Sequence, residues 1–287
     1  MAEEWIGVQD VLTSSDGMRI HYRRMTPSTA TCFSVLLVHG LGEHAGRYNN
    51  FYHYMVPKGY EVFAPDLRGH GLSEGRRGHI YAFEDYLKDL DCLREVMKGS
   101  RPDKCGVGGG NILMGHSMGG LIALRYALDH QDEFDAVAVT GPALEIAVKV
   151  PAWKEALGKM MSKVFPTLSL PNGLDPDGLS RNPAVVKAYL DDPLVHDLVS
   201  ARWFTEFVAT IDYVQENAKN FRIPILIMHG DSDILAAPGG SRKFFENCGS
   251  EDKELKLYEG AYHELYNEIN YNEVLDYLEN WLKKRDL

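Results

Sequence analysis

The sequence has no run of basic residues. Its 287 residues hold 30 lysines and arginines against 41 aspartates and glutamates, a formal net charge of -11. A phosphate backbone would repel such a chain, so nucleic acid is not expected as a partner. Stable electrostatic attachment to anionic lipid is disfavoured on the same ground. Cysteine is scarce too. Cys32, Cys92, Cys105 and Cys248 are scattered without metal-ligand or redox spacing, which points to free thiols in a reducing compartment. No apolar run approaches the roughly 20 residues of a membrane-spanning helix. The opening "MAEEWIGVQD" is acidic and has no basic stretch leading into an apolar one. These absences together lead to the expectation of a soluble, cytoplasmic protein.

Internal repeats and low-complexity segments are absent as well. What remains is ordinary globular composition, 45% hydrophobic and 25% charged, at a length that suits one large domain or one domain with an insertion. Apolar runs alternate with helical patterns. "FSVLLVHG" (33–40), "EVFAPD" (61–66), "NILMGH" (111–116), "FDAVAVTG" (134–141), "IPILIMHG" (223–230) and "KELKLYEG" (253–260) read as strands, the most continuous of them buried on both faces. Helical patterns fall at about 47–58, 83–99, 118–130 and 271–284. "DVLTSSDGMRIHYRRM" (10–25) adds an antiparallel hairpin at the sheet edge. The expectation is an α/β fold with a mostly parallel eight-stranded sheet and helices on both faces. The rhythm stops at Pro142. Residues 143–220 hold helical patterns and proline-rich turns but no convincing buried strand, which makes them a helical cap insertion in a core of 1–142 and 221–287.

In a parallel sheet, ligands gather beyond the carboxyl ends of the strands. There "GHSMGG" puts Ser117 on a strand-to-helix turn, with Gly115 and Gly119 allowing close approach, as a nucleophile elbow requires. The helix beginning at Met118 offers backbone N–H groups and its positive end to an oxyanion. The glycine-rich loop "LGEHAGRY" offers a second such donor at Leu41. "DSDIL" brings Asp231 and Asp233 to the end of one strand, and "AYHEL" brings His263 to the end of the last. A serine hydroxyl needs a base to take its proton, and the base needs an acid to orient it. The chain order Ser, Asp, His meets that need with either aspartate.

The set "VHGLGEHAGRY", "PDLRGHGLSEG", "GHSMGG", "LSRNP", "HGDSD" and "YEGAYHEL" closely resembles the monoacylglycerol lipase and lysophospholipase group of α/β-hydrolases, from about residue 10 to 285. The resemblance implies a triad of Ser117, Asp233 and His263, with the Leu41 and Met118 amides as the oxyanion hole. It places Glu43, Arg47 and Tyr189 at the glycerol head of a monoglyceride. It implies a lipid ester as substrate, and neither metal nor organic cofactor. Lysophospholipids or other esters on the same triad are the alternative substrates. A hydrolase-fold protein that binds its ligand without turnover is the alternative class.

The remaining features have plainer readings. His39 is expected to hold the oxyanion loop, His116 to pack inside the elbow, and His196 to lie on the surface. "DLRGHGLSEG", with Asp66, Arg68, His70 and Ser73, is expected to support the site. Gly108-Gly109-Gly110 reads as a flexible turn. On 150–165, Trp153, Leu157, Met160, Met161, Val164 and Phe165 form an apolar helical stripe that either packs on the domain below or lines an acyl site. An apolar cap leaves room for transient membrane contact or for dimerisation, and the sequence does not choose between them.

Overall fold

A computed structural model describes residues 5–28, 33–100, 109–146 and 152–287, and the side chains of 152–157 are not described. Cys32, Cys105 and Gly108 thus lie outside the described residues, whereas Cys92 and Cys248 are free thiols. The chain begins with a hairpin of β1 (Trp5–Thr13) and β2 (Arg19–Pro27). There follow β3 (Phe33–Val38), α1 (Asn49–Met55), β4 (Tyr60–Pro65), α2 (Glu84–Ser100), β5 (Gly110–His116), α3 (Met118–Asp129) and β6 (Ala136–Thr140). Next come α4 (Ala152–Val164), β7 (Ser169–Pro171), α5 (Pro183–Asp191), β8 (Leu198–Ser200) and α6 (Ala201–Asn217). β9 (Ile225–Gly230), α7 (Pro238–Asn247), β10 (Lys253–Tyr258) and α8 (Tyr271–Lys283) complete it.

Eight strands form one sheet in the order β1-β2-β4-β3-β5-β6-β9-β10. The pairs β1–β2 and β2–β4 are antiparallel, and the other neighbours are parallel. Successive side chains on a strand face opposite ways, and each face has its own apolar layer. Leu36, Phe63, Leu113, Val137 and Ile227 join α2, α3 and α6 on one face. Leu37, Val62, Met114, Ala138 and Met228 join α1 and α8 on the other. This is why the central strands read as unbroken apolar runs rather than as alternation. Each fully buried Leu or Ile side chain there contributes about 1.5–3 kcal/mol.

From β3 the chain first moves outward to β4 and then returns to β5 on the other side. That reversal leaves a crevice between the loops following β3 and β5, the usual place for a ligand in an open parallel sheet.

Between β6 and β9 the structure differs from the sequence expectation in two details. β7 and β8 pair as a short antiparallel ribbon, and at three residues each they are too short for periodicity to reveal. In addition, α6 buries Trp203, Ile211 and Val214 in the same apolar layer as α3. The last helix of the segment therefore belongs as much to the core as to anything above it.

Candidate active site

Ser117 stands between the end of β5 and the start of α3 with φ 55° and ψ -120°. A non-glycine residue in this region is strained, and surrounding structure must hold it there. The hold is visible. Ser117 N–H donates to the Thr140 carbonyl at 3.0 Å, while its own carbonyl accepts the N–H groups of Leu121 and Ala143. The flanking glycines make the turn sterically feasible. A Cβ on Gly115 would collide with the Gly119 carbonyl, and one on Gly119 with the carbonyls of Val38 and His39. Ser117 itself is only half-buried, so its hydroxyl faces the cleft.

His263, after β10, points Nδ1 at Asp233 Oδ2 from 2.6 Å. Asp233 follows β9 and is anchored by the N–H groups of Leu235 (2.8 Å) and Ala236 (3.0 Å) on Oδ1. His229 Nε2 lies 3.1 Å from both Asp233 Oδ2 and the Ala236 carbonyl. With acceptors on that side, Nε2 carries the proton and Nδ1 accepts from Ser241 Oγ at 2.8 Å. Burial alone would raise the Asp233 carboxyl, but the two imidazoles outweigh it and hold the group far below the usual carboxylate range. Burial lowers His263, yet the Asp233 charge prevails and the net shift is upward. Asp231 turns away: it is exposed and accepts Gly260 N–H at 2.7 Å. The His116 ring lies tilted at 4.7 Å from His263 and is pushed down to about 4, by burial first and then by His263. It is a neutral neighbour, hydrogen-bonded to Thr140 at 3.1 Å.

The loop after β3 lies over the serine, close enough that a Cβ on Gly40 would sit 3.2 Å from Ser117 Cβ. His39 Nδ1 donates to the Gly40 carbonyl at 2.7 Å, and its Nε2 accepts Leu67 N–H at 2.8 Å. Gly40 N–H donates to Glu43 Oε1 at 2.7 Å. The N–H groups of Leu41 and Met118 donate to no other group among the described residues. Gly42 has φ 75°, and a Cβ there would collide with the His196 carbonyl. Here the structure corrects an expectation. His196 is not a surface histidine. Its N–H donates to the Gly42 carbonyl at 2.9 Å, its Nε2 to the Gly69 carbonyl at 3.1 Å, and its ring packs 4.8 Å from His70. Burial, with Arg77 next, pushes it down to about 4. Distance in sequence from any strand end concealed this contact. The 66–73 loop buttresses from below. Asp66 accepts the N–H groups of Ala45 and Leu72, each at 2.9 Å, and Arg68 grips Asp89 with two bonds of 2.7 Å.

Two compartments open onto Leu41, Ser117 and His263. One has a volume of about 480 Å³ and a wall that includes Glu43, Arg47, Tyr189, Asp192, Asp197 and Glu264. The other is smaller, about 130 Å³, and is lined by Met118, Ala143, Ile146, Trp203, Phe204 and Phe207 among others. Three of those aromatic side chains come from α6, where Trp203 and Phe207 stack at 4.6 Å. The "RWFTEF" spacing carried that signal. The stripe read as an acyl lining behaves differently. Met160 is 53% exposed, and neither it nor the half-buried Met161 lines either compartment. The side chains of Trp153 and Leu157 lie outside the described residues. Helical periodicity reveals an apolar face without saying what it faces, and α4 packs against α6.

Glu43, Arg47 and Tyr189 do meet at the larger compartment, with the Arg47 guanidinium 4.7 Å from the centre of the Tyr189 ring. Glu264 joins them. It was not singled out in the sequence, although its place beside His263 was a signal.

Residues 29–270 match the serine aminopeptidase S33 family of hydrolases. The chain is 35% identical over 267 residues to a monoacylglycerol lipase of Mycolicibacterium smegmatis, covering 93% of each. It is 31% identical to the monoglyceride lipase of Rattus norvegicus, covering 96% of this chain and 90% of that one. It is also 34% identical to an abhydrolase domain-containing protein of Dictyostelium discoideum, of whose length it spans 29%. Among solved structures, the Paleococcus ferrophilus monoacylglycerol lipase superposes with a TM-score of 0.83 at 36% identity, covering 93% of this chain and 99% of that one. The Saccharomyces cerevisiae monoglyceride lipase, in complex with a substrate analog, gives 0.84 at 27% identity, covering 99% and 97%.

Proposed function

This chain belongs to the serine aminopeptidase S33 family of α/β-hydrolases, and from that footing we propose that it is a serine carboxylester hydrolase cleaving monoacylglycerols to fatty acid and glycerol. The observation that carries this reading is the meeting at Ser117 of two unlike compartments, a larger one whose wall carries ionised groups among apolar ones and a smaller, mainly apolar one. A monoacylglycerol has the same division, with its ester carbonyl at the boundary.

Ser117 Oγ attacks the carbonyl carbon while His263 Nε2 takes its proton. Asp233 keeps the imidazole in the tautomer that leaves Nε2 free, and it stabilises the imidazolium. The Leu41 and Met118 N–H groups, which have no other acceptor among the described residues, hold the oxyanion. His263 returns its proton to the departing glycerol oxygen, leaving an acyl ester on Ser117. Water then attacks that ester, giving a proton to the same imidazole. Collapse releases the fatty acid and restores the serine hydroxyl. Replacing Ser117 by alanine should lower monoacylglycerol hydrolysis by about 10⁴–10⁶-fold with the thermal unfolding transition retained. Near-normal acid release from that variant would remove the serine from the mechanism. Faster turnover of lysophosphatidylcholine than of the monoglyceride by the unaltered protein would replace the substrate.

Residues 143–220 are, in this reading, a cap on the 1–142 and 221–287 core, contributing Tyr189 and His196 to one compartment and Phe204 and Phe207 to the other. Its outer side also serves as the contact with lipid surfaces. Val164 and Phe165 are each 60% exposed there, beside Met160. Among the described residues no helix is long and apolar enough to cross a membrane. The double substitution Val164→Glu and Phe165→Glu should lower co-flotation with phosphatidylcholine vesicles several-fold. Equal flotation would put the contact elsewhere.

A further inference from the structure

We propose that Glu43, Arg47 and Glu264 form a bracket that keeps the oxyanion loop and the base loop in register, acting on the reaction by positioning rather than by holding the substrate head group. The proposal builds on the ester-hydrolase reading of Ser117, Leu41 and His263.

The bracket spans two distant parts of the chain. Glu43 and Arg47 lie one helical turn apart, just after the loop that carries Leu41. Glu264 follows the base directly. Arg47 Nη1 donates to Glu43 Oε2 at 2.8 Å and to Glu264 Oε1 at 2.6 Å, and Nη2 donates to Glu264 Oε2 at 2.9 Å. The second Glu43 oxygen, Oε1, accepts the N–H of Gly40 at 2.7 Å and the Tyr48 hydroxyl at 2.8 Å. Asn267 donates to Glu264 Oε2 at 3.0 Å. Each carboxylate oxygen in the bracket therefore has a protein donor. The three side chains are 9% exposed or less, and Tyr189 lies against the guanidinium. Glu43 and Glu264 each accept three bonds from protein donors, and Arg47 gives three of its five N–H groups to them.

What they hold is the peptide that points at the oxyanion. The Leu41 N–H shares its rigid peptide plane with the Gly40 carbonyl. That carbonyl is fixed by His39, and the N–H on the other side of Gly40 is fixed by Glu43. At the far end, Glu264 N–H is tied to the Leu179 carbonyl at 2.8 Å and His263 N–H to the Gly178 carbonyl at 3.3 Å. One guanidinium shared by two carboxylates thus links the donor of the oxyanion hole to the base. Buried charges of this kind are costly to leave unpaired, so removing one partner should displace the others. A catalytic group misplaced by about 1 Å can cost about 10²-fold in rate, and an oxyanion donor acts only where it is aimed at the developing charge.

The test compares two esters of one acyl chain, a monoacylglycerol and a p-nitrophenyl ester, which has no glycerol head. Glu43→Gln keeps the shape and an oxygen acceptor but loses the charge, whereas Glu43→Ala loses both. Positioning predicts that kcat falls on both esters by a similar factor, about 10-fold or more for Gln and nearer 10²-fold for Ala, with KM little changed. A rise in KM confined to the monoacylglycerol would overturn the proposal in favour of head-group binding. Unaltered kinetics on both esters would overturn it outright. Should the Glu43 variants not fold, Glu264→Gln carries the same comparison, because it leaves the bond between Glu43 and Gly40 in place. If the unaltered protein hydrolyses the p-nitrophenyl ester but not the monoacylglycerol, the substrate assignment fails while the bracket is still tested on the first ester.

Discussion

The two compartments that meet at Ser117 are built by different means. The smaller one is bounded mainly by side chains from α6 and by Met118, Ala143 and Ile146, which need no partners beyond van der Waals contact, alongside Glu145 and Asn172. The larger one mixes apolar side chains such as Leu174, Leu179 and Leu190 with ionised groups whose hydrogen bonds run sideways into the protein: Arg47 to Glu43 and Glu264, and Asp192 to His44 at 2.9 Å. An apolar wall accepts any chain that fits, because hydrophobic burial has no direction. A polar wall whose groups already satisfy one another selects chiefly through the charge and the space it presents. The difference suggests that acyl length is read by volume on one side, and head-group charge by field on the other.

The largest effect should come from the junction, where both sides are lost together. Asp233→Asn should cut kcat by about 10⁴-fold for esters of any acyl chain or head group. Its pH profile should move as well. His263 acts as a base only when neutral, and its pKa lies above the ordinary 6.5 because Asp233 outweighs burial. Activity in the native protein should therefore fall as the pH drops through a point above 6.5, and loss of the Asp233 charge should shift that limb to lower pH. A limb that stays in place would mean that another group titrates.

A middle effect should come from the apolar side alone. Ala143→Phe fills part of the 130 Å³ compartment and should reduce kcat/KM for long-chain monoacylglycerols by about tenfold or more, since each lost methylene contact is worth about 0.8 kcal/mol. Short-chain esters should lose much less. An equal loss at every chain length would mean that the acyl group does not enter there.

The smallest effect should come from the polar side. Asp197 is exposed on that wall, which also carries the half-buried Asp192 and the buried Glu43 and Glu264. Asp197→Lys should improve hydrolysis of an ester with a phosphate head by a few-fold at low ionic strength, and the gain should shrink above about 0.1 M salt, where screening acts within about 10 Å. Neutral monoacylglycerols should barely respond. Gains of the same size for neutral and anionic heads would show that charge is not what this wall reads.

The sheet and its catalytic ends were legible because buried parallel strands leave continuous apolar runs, each followed by its own loop. Ser117, Asp233 and His263 could be placed together from chain order, since topology carries those loops to one edge. The residues implied at the head group, Glu43, Arg47 and Tyr189, do line the same compartment. Their bonding was not legible. Nothing in "EHAGRY" announces that Arg47 closes on Glu264, 217 positions further on. Of the apolar face read on 150–165, Met160 and Met161 lie outside both compartments while α6 lines the smaller one, and His196 proved to be a strut for Gly42.

By itself, the sequence determined what is local or topological: the strained elbow that glycine permits, the order of nucleophile, acid and base, and the negative charge of the chain. Backbone sterics and the one-way winding of a parallel sheet tie those features directly to residue order. Tertiary structure alone decided which helix lines the smaller, mainly apolar compartment and which carboxylates share Arg47. Both outcomes depend on contacts between segments far apart in the chain, and neither composition nor periodicity contains that information.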